Sequence, residues 1–197
     1  MDLPRPQLPP GTARKILSDR GALERHQVAL LGVRGFYLAA GKPGVNDVGL
    51  YDDAIFLSTP VACTGFNANT DPSREFPGVA NLATGLWLYK VGIHGLSKPK
   101  DEQYTALVQA AEVVVNRHDS KTEKGFFGIN IHRGGINTTS SLGCQTILRA
   151  QWPEFITTVQ AALKDNGERL IPYLLITHDE LTAVLSAVQP VATAPTA

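Results

Sequence analysis

The chain has 197 residues, of which 43% are hydrophobic, and its 18 Lys+Arg exactly offset 18 Asp+Glu. Such a length describes one globular domain that buries roughly 70% of its unfolded surface and folds without staples. Zero net charge argues against a nucleic-acid or anionic-membrane binder, two cysteines exclude a disulfide-rich scaffold, and no apolar run approaches the ~20 residues of a membrane span.

The start, "MDLPRPQLPPGT", lacks the apolar core of an export signal. Residues 1–11 read as a proline-rich extension. Thr12 is placed to cap a short helix, "ARKILSDR", stopped by Gly21. "QVALLGVRGFYL" reads as a buried strand, and "AAGKPGVNDVG" as a loop. "LYDDAIFLS" and "VACTGF" are the next strands, separated by a turn at Thr59–Pro60, and "GLWLYKVGIH" follows as another. "DEQYTALVQAA" has helical spacing of Tyr104, Leu107 and Ala111, whereas the valines of "EVVVNRH" favour a strand. "GFFGINIH" reads as a strand ending at His132. "PEFITTVQAALKDNG" is the strongest helix, with Pro153 in its first turn, Phe155, Val159 and Leu163 on one face, and Gly167 at its end. "LIPYLLIT" closes the core, and residues 186–197 read as a disordered tail. Six or seven strands with two or three helices in no regular alternation indicate a β-dominated α+β fold, with one domain over 12–185.

Chemistry concentrates in "INIHRGGINTTSSLGCQTI", residues 129–147. A thiol attacks as thiolate, and at neutral pH an ordinary thiol is only ~3% ionised, so it needs a base nearby. His132 lies twelve residues before Cys144 and is the local candidate. Gly143 lets the backbone turn sharply before Cys144, so that the surrounding N–H groups can form an oxyanion hole. Ser140 and Ser141 add hydroxyl donors. The same residues also fit a hydroxyl-rich turn, a buried small thiol and a histidine bonded to a backbone carbonyl.

Elsewhere, His94 fits either the wall of the same cleft or a metal site with His132 and Cys144, although no pair shows zinc-type spacing. His118 and His178 sit beside acids in turn-like contexts, and His26 has no evident partner. Asn67, Asn69, Asp71 and Ser73 fit Asx turns or a groove wall. Asp52, Asp53, Asp71 and Glu75 are the carboxylates a muramidase would need.

The order His132, Gly134, Ser141, Gly143, Cys144, written "HRGGINTTSSLGC", resembles the H-x-G … S-x-G-C signature of the L,D-transpeptidase catalytic domain. "LATGLWLYKVGIHG" resembles that family's upstream P-x-G stretch without the proline, and the order of elements extends the likeness over residues 28–177. The resemblance implies a β-dominated mixed-sheet fold with two or three helices. It implies that Cys144 attacks the carbonyl of an L-to-D stem-peptide bond while His132 takes the thiol proton and later protonates the leaving amine. The N–H groups of Gly143 and Cys144 would hold the oxyanion, with Ser141 in the catalytic set. Arg133, Gly134, Ser140, Gln145 and His94 are the candidate substrate-binding residues. Leu142 stands where the family has histidine, and the family's arginine two after the cysteine is absent; Arg133 and Arg149 are the available substitutes.

The expectation is a cysteine acyl-enzyme directed at peptidoglycan stem peptides, an L,D-transpeptidase or L,D-peptidase, with no metal and no cofactor. The absent export signal points to a chain made in the cytoplasm and acting at the wall after release or carriage by a phage particle, as an endolysin does. The acceptor and oligomeric state stay open. Two alternatives stand beside it: a non-catalytic wall-binding or phage structural module on a degenerate transpeptidase-like fold, and a glycan-cleaving hydrolase.

Overall fold

The computed structural model describes residues 3–119 and 121–188. Its elements in chain order are α1 (Thr12–Asp19), β1 (Ala29–Arg34), β2 (Asp53–Ser58), β3 (Cys63–Asn69), β4 (Ala80–Leu82), β5 (Gly85–His94), a 3-10 turn at Lys100–Glu102, β6 (Tyr104–Gln109), β7 (Val113–Arg117), β8 (Thr122–Gly125), β9 (Ile131–Arg133), β10 (Gln145–Ile147), α2 (Trp152–Asp165), β11 (Leu170–Thr177) and α3 (His178–Val188). The architecture is α+β, dominated by a mixed sheet.

Eight strands close into a barrel in the order β1-β11-β5-β6-β9-β10-β3-β2, and β4-β7-β8 form a separate small sheet. Pairing is antiparallel except between β1 and β11 and between β9 and β10. β1, β2 and β11 read as near-continuous apolar runs because both their faces are covered. One face joins the main core with Leu30, Ile55, Tyr173 and Leu175, into which α2 packs. The other carries Leu31, Phe56, Leu174 and Ile176 against α1 and α3. α2 buries Phe155, Val159 and Leu163 as its spacing predicts, with Phe155 edge-on to Phe66 at 5.2 Å between ring centres. Each such fully buried side chain stabilises the fold by about 2 kcal/mol.

Three local expectations are corrected. Residues 101–111 are not a helix: only Lys100–Glu102 make a helical turn, and Tyr104–Gln109 form β6. Their apolar spacing of three and four fits a helix, and the antiparallel pairing with β5, from His94↔Tyr104 to Tyr89↔Gln109, overrides it. At α1 the cap position belongs to Gly11 (φ 78°), with no side-chain cap bond, and Thr12 lies inside the helix. The chain near 178–188 is helical rather than loop and tail. Thr177 and Glu180 form a reciprocal capping box, Thr177 N–H to Glu180 Oε2 at 2.9 Å and Glu180 N–H to Thr177 Oγ1 at 3.3 Å. His178 therefore opens α3, which includes Ser186–Val188; the rest of the expected tail, 189–197, lies outside the described residues.

The proline-rich start runs extended against the barrel. The Pro4 carbonyl accepts from Asn67 Nδ2 (3.0 Å) and Tyr37 OH (2.8 Å), and Arg5 makes paired bonds to Glu154 on α2. Among the described residues no helix is long and apolar enough to cross a membrane.

Candidate functional site: a cysteine and two stacked histidines

β9 and β10 carry the candidate chemistry. They pair in parallel, Ile131 with Gln145 and Thr146 with His132, so Cys144 enters β10 beside the start of β9. Between the two strands the 134–144 loop is pinned by one serine. Ser141 Oγ accepts from Gly143 N–H (3.0 Å) and donates to the Cys144 carbonyl (2.6 Å), while Ser141 N–H reaches Ser73 Oγ (2.7 Å). Gly143 has φ 129°, and a Cβ there would sit 2.5 Å from the Ala80 carbonyl oxygen, so this position tolerates only glycine. The Gly143 amide is thus already engaged. Of the two expected oxyanion donors, only the Cys144 amide has no acceptor among the described residues.

Cys144 is half-buried; its sulfur accepts the Asn130 N–H and lies against the Gly128 carbonyl, both at 3.4 Å. Burial pushes the thiol pKa up, partly opposed by the Asn130 N–H. The resting group is therefore a neutral thiol.

His132 is buried, and its Nδ1 lies 2.9 Å from the Arg133 carbonyl and 3.3 Å from Tyr104 OH. A carbonyl only accepts, so Nδ1 carries the hydrogen and Nε2 is left with the lone pair. His94 stacks on this ring with centres 4.1 Å apart and planes at 24°. Its tautomer follows from a neighbour. Asn130 Oδ1 accepts the Gln109 N–H (3.3 Å), which turns Asn130 Nδ2 towards His94 Nδ1 at 3.1 Å. His94 Nδ1 is then the acceptor and its Nε2 the donor. Burial lowers the His132 pKa to about 4, with the facing His94 as the next cause. Burial, then Lys98, lowers that of His94. Both imidazoles are neutral at pH 7, as two stacked rings in a poorly solvated recess must be.

The connection between sulfur and His132 thus runs through Asn130 and His94; the bonds of His132 go to Arg133 and Tyr104, with none to the thiol. A neutral thiol joined to neutral imidazoles only through Asn130 suits general-base activation, in which the proton leaves sulfur as the carbon–sulfur bond forms, rather than a preformed thiolate–imidazolium pair.

The remaining sequence candidates are distributed as follows. Arg133 lies with its guanidinium 4.6 Å from the Tyr104 ring centre, at the edge of the histidine pair. Gly134 is buried, and a Cβ there would run into the Tyr51 hydroxyl, so its place is in packing. Ser140 is exposed, in the left-handed region (φ 56°), and bonds only within the loop, to Thr138. Gln145 is fully buried, bonded to Tyr173 OH (3.1 Å) and the Gly143 carbonyl (3.2 Å). It supports the cysteine turn from inside the barrel.

Asn130, Tyr104 and Gln109 are the site residues that sequence reasoning missed. Asn130 stands two before His132, and alternation from that histidine was the available signal. Tyr104 was hidden by the helix reading. Gln109 holds the segment before β9, its Oε1 accepting the N–H groups of Phe127 and Ile129 at 3.2 Å each; no local pattern marks that.

The carboxylates form a different cluster. Asp53 is fully buried and accepts from the N–H groups of Gly35 (2.6 Å) and Thr70, and Asp71 pairs with Arg34 at 3.0 Å. Both are built into the frame. Among the described residues no group of three or more His, Cys, Asp or Glu is arranged to hold a metal ion. Comparison with protein-family models, with curated proteins and with solved structures gives no match to this chain.

Proposed function

We propose that this protein is a cysteine acyl-enzyme of L,D-transpeptidase or L,D-peptidase type, acting on the stem peptides of bacterial peptidoglycan and reaching the wall by release or on a phage particle. The observation that carries the reading is a chain of contacts that links three separate segments: Cys144 Sγ to Asn130, Asn130 to His94, and His94 stacked on His132. β5 supplies His94, β9 with its approach supplies Asn130 and His132, and the loop before β10 supplies Cys144. Two neutral imidazoles in defined tautomers beside a nucleophile are the parts acyl transfer needs. The stem-peptide substrate comes from the H-x-G … S-x-G-C resemblance of residues 132–144.

In this scheme the Cys144 sulfur attacks the scissile carbonyl and an imidazole Nε2 takes the thiol proton; His132 is the one whose Nε2 holds a free lone pair. The Cys144 amide faces the developing oxyanion, and the imidazolium returns the proton to the leaving amine. Water or a second amine then resolves the thioester. Of the carboxylates that the glycan-cleaving alternative would use, Asp53 and Asp71 spend their oxygens on backbone N–H groups, Arg34 and asparagine side chains.

The test is purified peptidoglycan treated with wild type and with Cys144→Ala, the products read by mass spectrometry. Peptide cleavage or exchange by wild type alone supports the proposal. Glycan fragments from both proteins move the chemistry to carboxylates, and an unaltered wall with both proteins overturns the enzyme reading in favour of a binding module.

A further inference from the structure

A second feature lies on the same sheet and is used by nothing above. Cross-strand pairing sets Thr146 opposite His132 on one side and opposite Asn69 on the other. Asp52, the residue before β2, continues the β2–β3 register opposite Asn69. Asp52, Asn69, Thr146 and His132 therefore form a transverse row about 14 Å long, three inter-strand spacings. All four are buried, and Asp52 Oδ1 and both polar atoms of the Asn69 side chain have no hydrogen-bond partner among the described residues, whereas Thr146 Oγ1 and the Tyr51 hydroxyl have only each other. Buried polar atoms are normally satisfied, so a row of orphans points to groups supplied from outside the chain.

The row ends at a cavity of about 620 Å³ lined by Tyr51, Asp52, Asn67, Thr138, Thr139 and Arg149 among others. Its two charges are of opposite sign, and neither is paired with a protein charge among the described residues. At the Asp52 end, Asp47 and Asp71 add further negative charge, against which only Arg34 stands among the described residues. Asp52 keeps one bond, from Asp47 N–H at 2.8 Å, and leaves its other oxygen bare. At the other end the Arg149 guanidinium is exposed, with one long contact of 3.4 Å to the Gly134 carbonyl.

We propose that this cavity is a recognition site for an α-amino-acid head group, its ammonium held by Asp52 and its carboxylate by Arg149. A carboxylate with an open oxygen in a negative recess selects a cation, and a planar guanidinium at the rim takes a carboxylate through two parallel bonds. The inference builds on the reading above in placing peptide recognition at the opposite end of the row from His132, and its test needs no turnover.

The test is a 15N chemical-shift titration of full-length Cys144→Ala with alanine, and in parallel with alaninamide and with propionate, which keep one charge each. Saturable alanine shifts at the amides of residues 136–139 and 149, with both analogues at least about tenfold weaker, support the proposal. Asp52→Asn and Arg149→Gln should each weaken alanine binding several-fold. Arg149 is exposed, so its variant keeps the test valid even if Asp52→Asn does not fold. Equal shifts with all three compounds, no saturable shift, or alanine binding unchanged by Arg149→Gln overturn it. Failure here leaves the wall-digestion result standing, and failure there leaves alanine binding standing.

Discussion

At Asp53 each carboxylate oxygen meets a backbone N–H, one from Gly35 and one from Thr70; at Cys144 the sulfur receives a single long bond from Asn130, whose side chain reaches the stacked pair of histidines. Both clusters are buried in the same barrel. In the first, polar groups answer one another and hold the loop after β1 to the end of β3. In the second, the thiol reaches the two stacked imidazoles only through Asn130, and His132 Nε2, the thiol and the Cys144 amide keep unused capacity. A buried polar group that is fully answered supports the frame, and one that is left open is available for chemistry.

The sharpest way to break this contrast is to remove one member of each cluster. Cys144→Ala should reduce wall-peptide turnover by at least about 10³-fold while leaving the thermal midpoint nearly unchanged, as followed by product mass and by calorimetry. Asp53→Ala should do the reverse: it orphans two buried N–H groups and should lower unfolding free energy by about 3 kcal/mol in denaturant titrations. A Cys144→Ala that unfolds, or an Asp53→Ala as stable as wild type, would erase the distinction.

Gly143→Ala comes next. A Cβ forced onto a φ of 129° and against the Ala80 carbonyl should destabilise by about 2–3 kcal/mol and disturb the cysteine turn, lowering stability and turnover together.

The two clusters also predict opposite pH dependences. Burial, with Asp71 and Asp52 nearby, pushes the Asp53 pKa up to about 8 from an unfolded value of 3.8. Between those values the folded state holds a proton that the unfolded chain has released, so this group's contribution to stability is lost as pH rises through about 8. His132 is held at about 4 against 6.5 unfolded, so below pH 6.5 the unfolded chain gains a proton that the folded one refuses. Its contribution is full above pH 6.5 and is lost as pH falls to about 4, an effect on the order of 3 kcal/mol. Urea titrations across pH should show Asp53→Ala removing a decline that runs from about pH 4 to about 8, and His132→Gln removing the opposing rise between about pH 4 and 6.5.

The smallest effect concerns reactivity. With its pKa raised, Cys144 should alkylate slowly at pH 7 and faster through pH 9, measured with iodoacetamide in a Cys63→Ser background. Fast alkylation at pH 6 would show an ion pair and contradict the neutral resting state.

The site was half legible in advance. His132, Cys144, Gly143 and Ser141 stand close together in the chain, and a glycine-rich polar loop between strands is a local signal. His94 was visible as a candidate, but its stacking on His132 arises from the β5–β6 hairpin and the single β6–β9 pairing at Leu107↔Ile131, contacts between residues far apart in sequence. Tyr104 is misplaced by local pattern because Tyr104, Leu107 and Ala111 satisfy a helical period, whereas pairing with β5 makes the segment a strand.

What the sequence by itself determined is what depends on neighbours within a few residues: the amphipathic stripe of α2 with Pro153 and Gly167 at its ends, the apolar runs of β1, β2 and β11, and the turn at Gly143. Tertiary structure alone decided the barrel closure, the fate of residues 104–109, the burial of Gln145 and the tautomers of the two histidines. Those depend on which strands lie side by side, since pairing partners, desolvation and the acceptor facing each ring nitrogen are properties of the assembled sheet and not of any short stretch of chain.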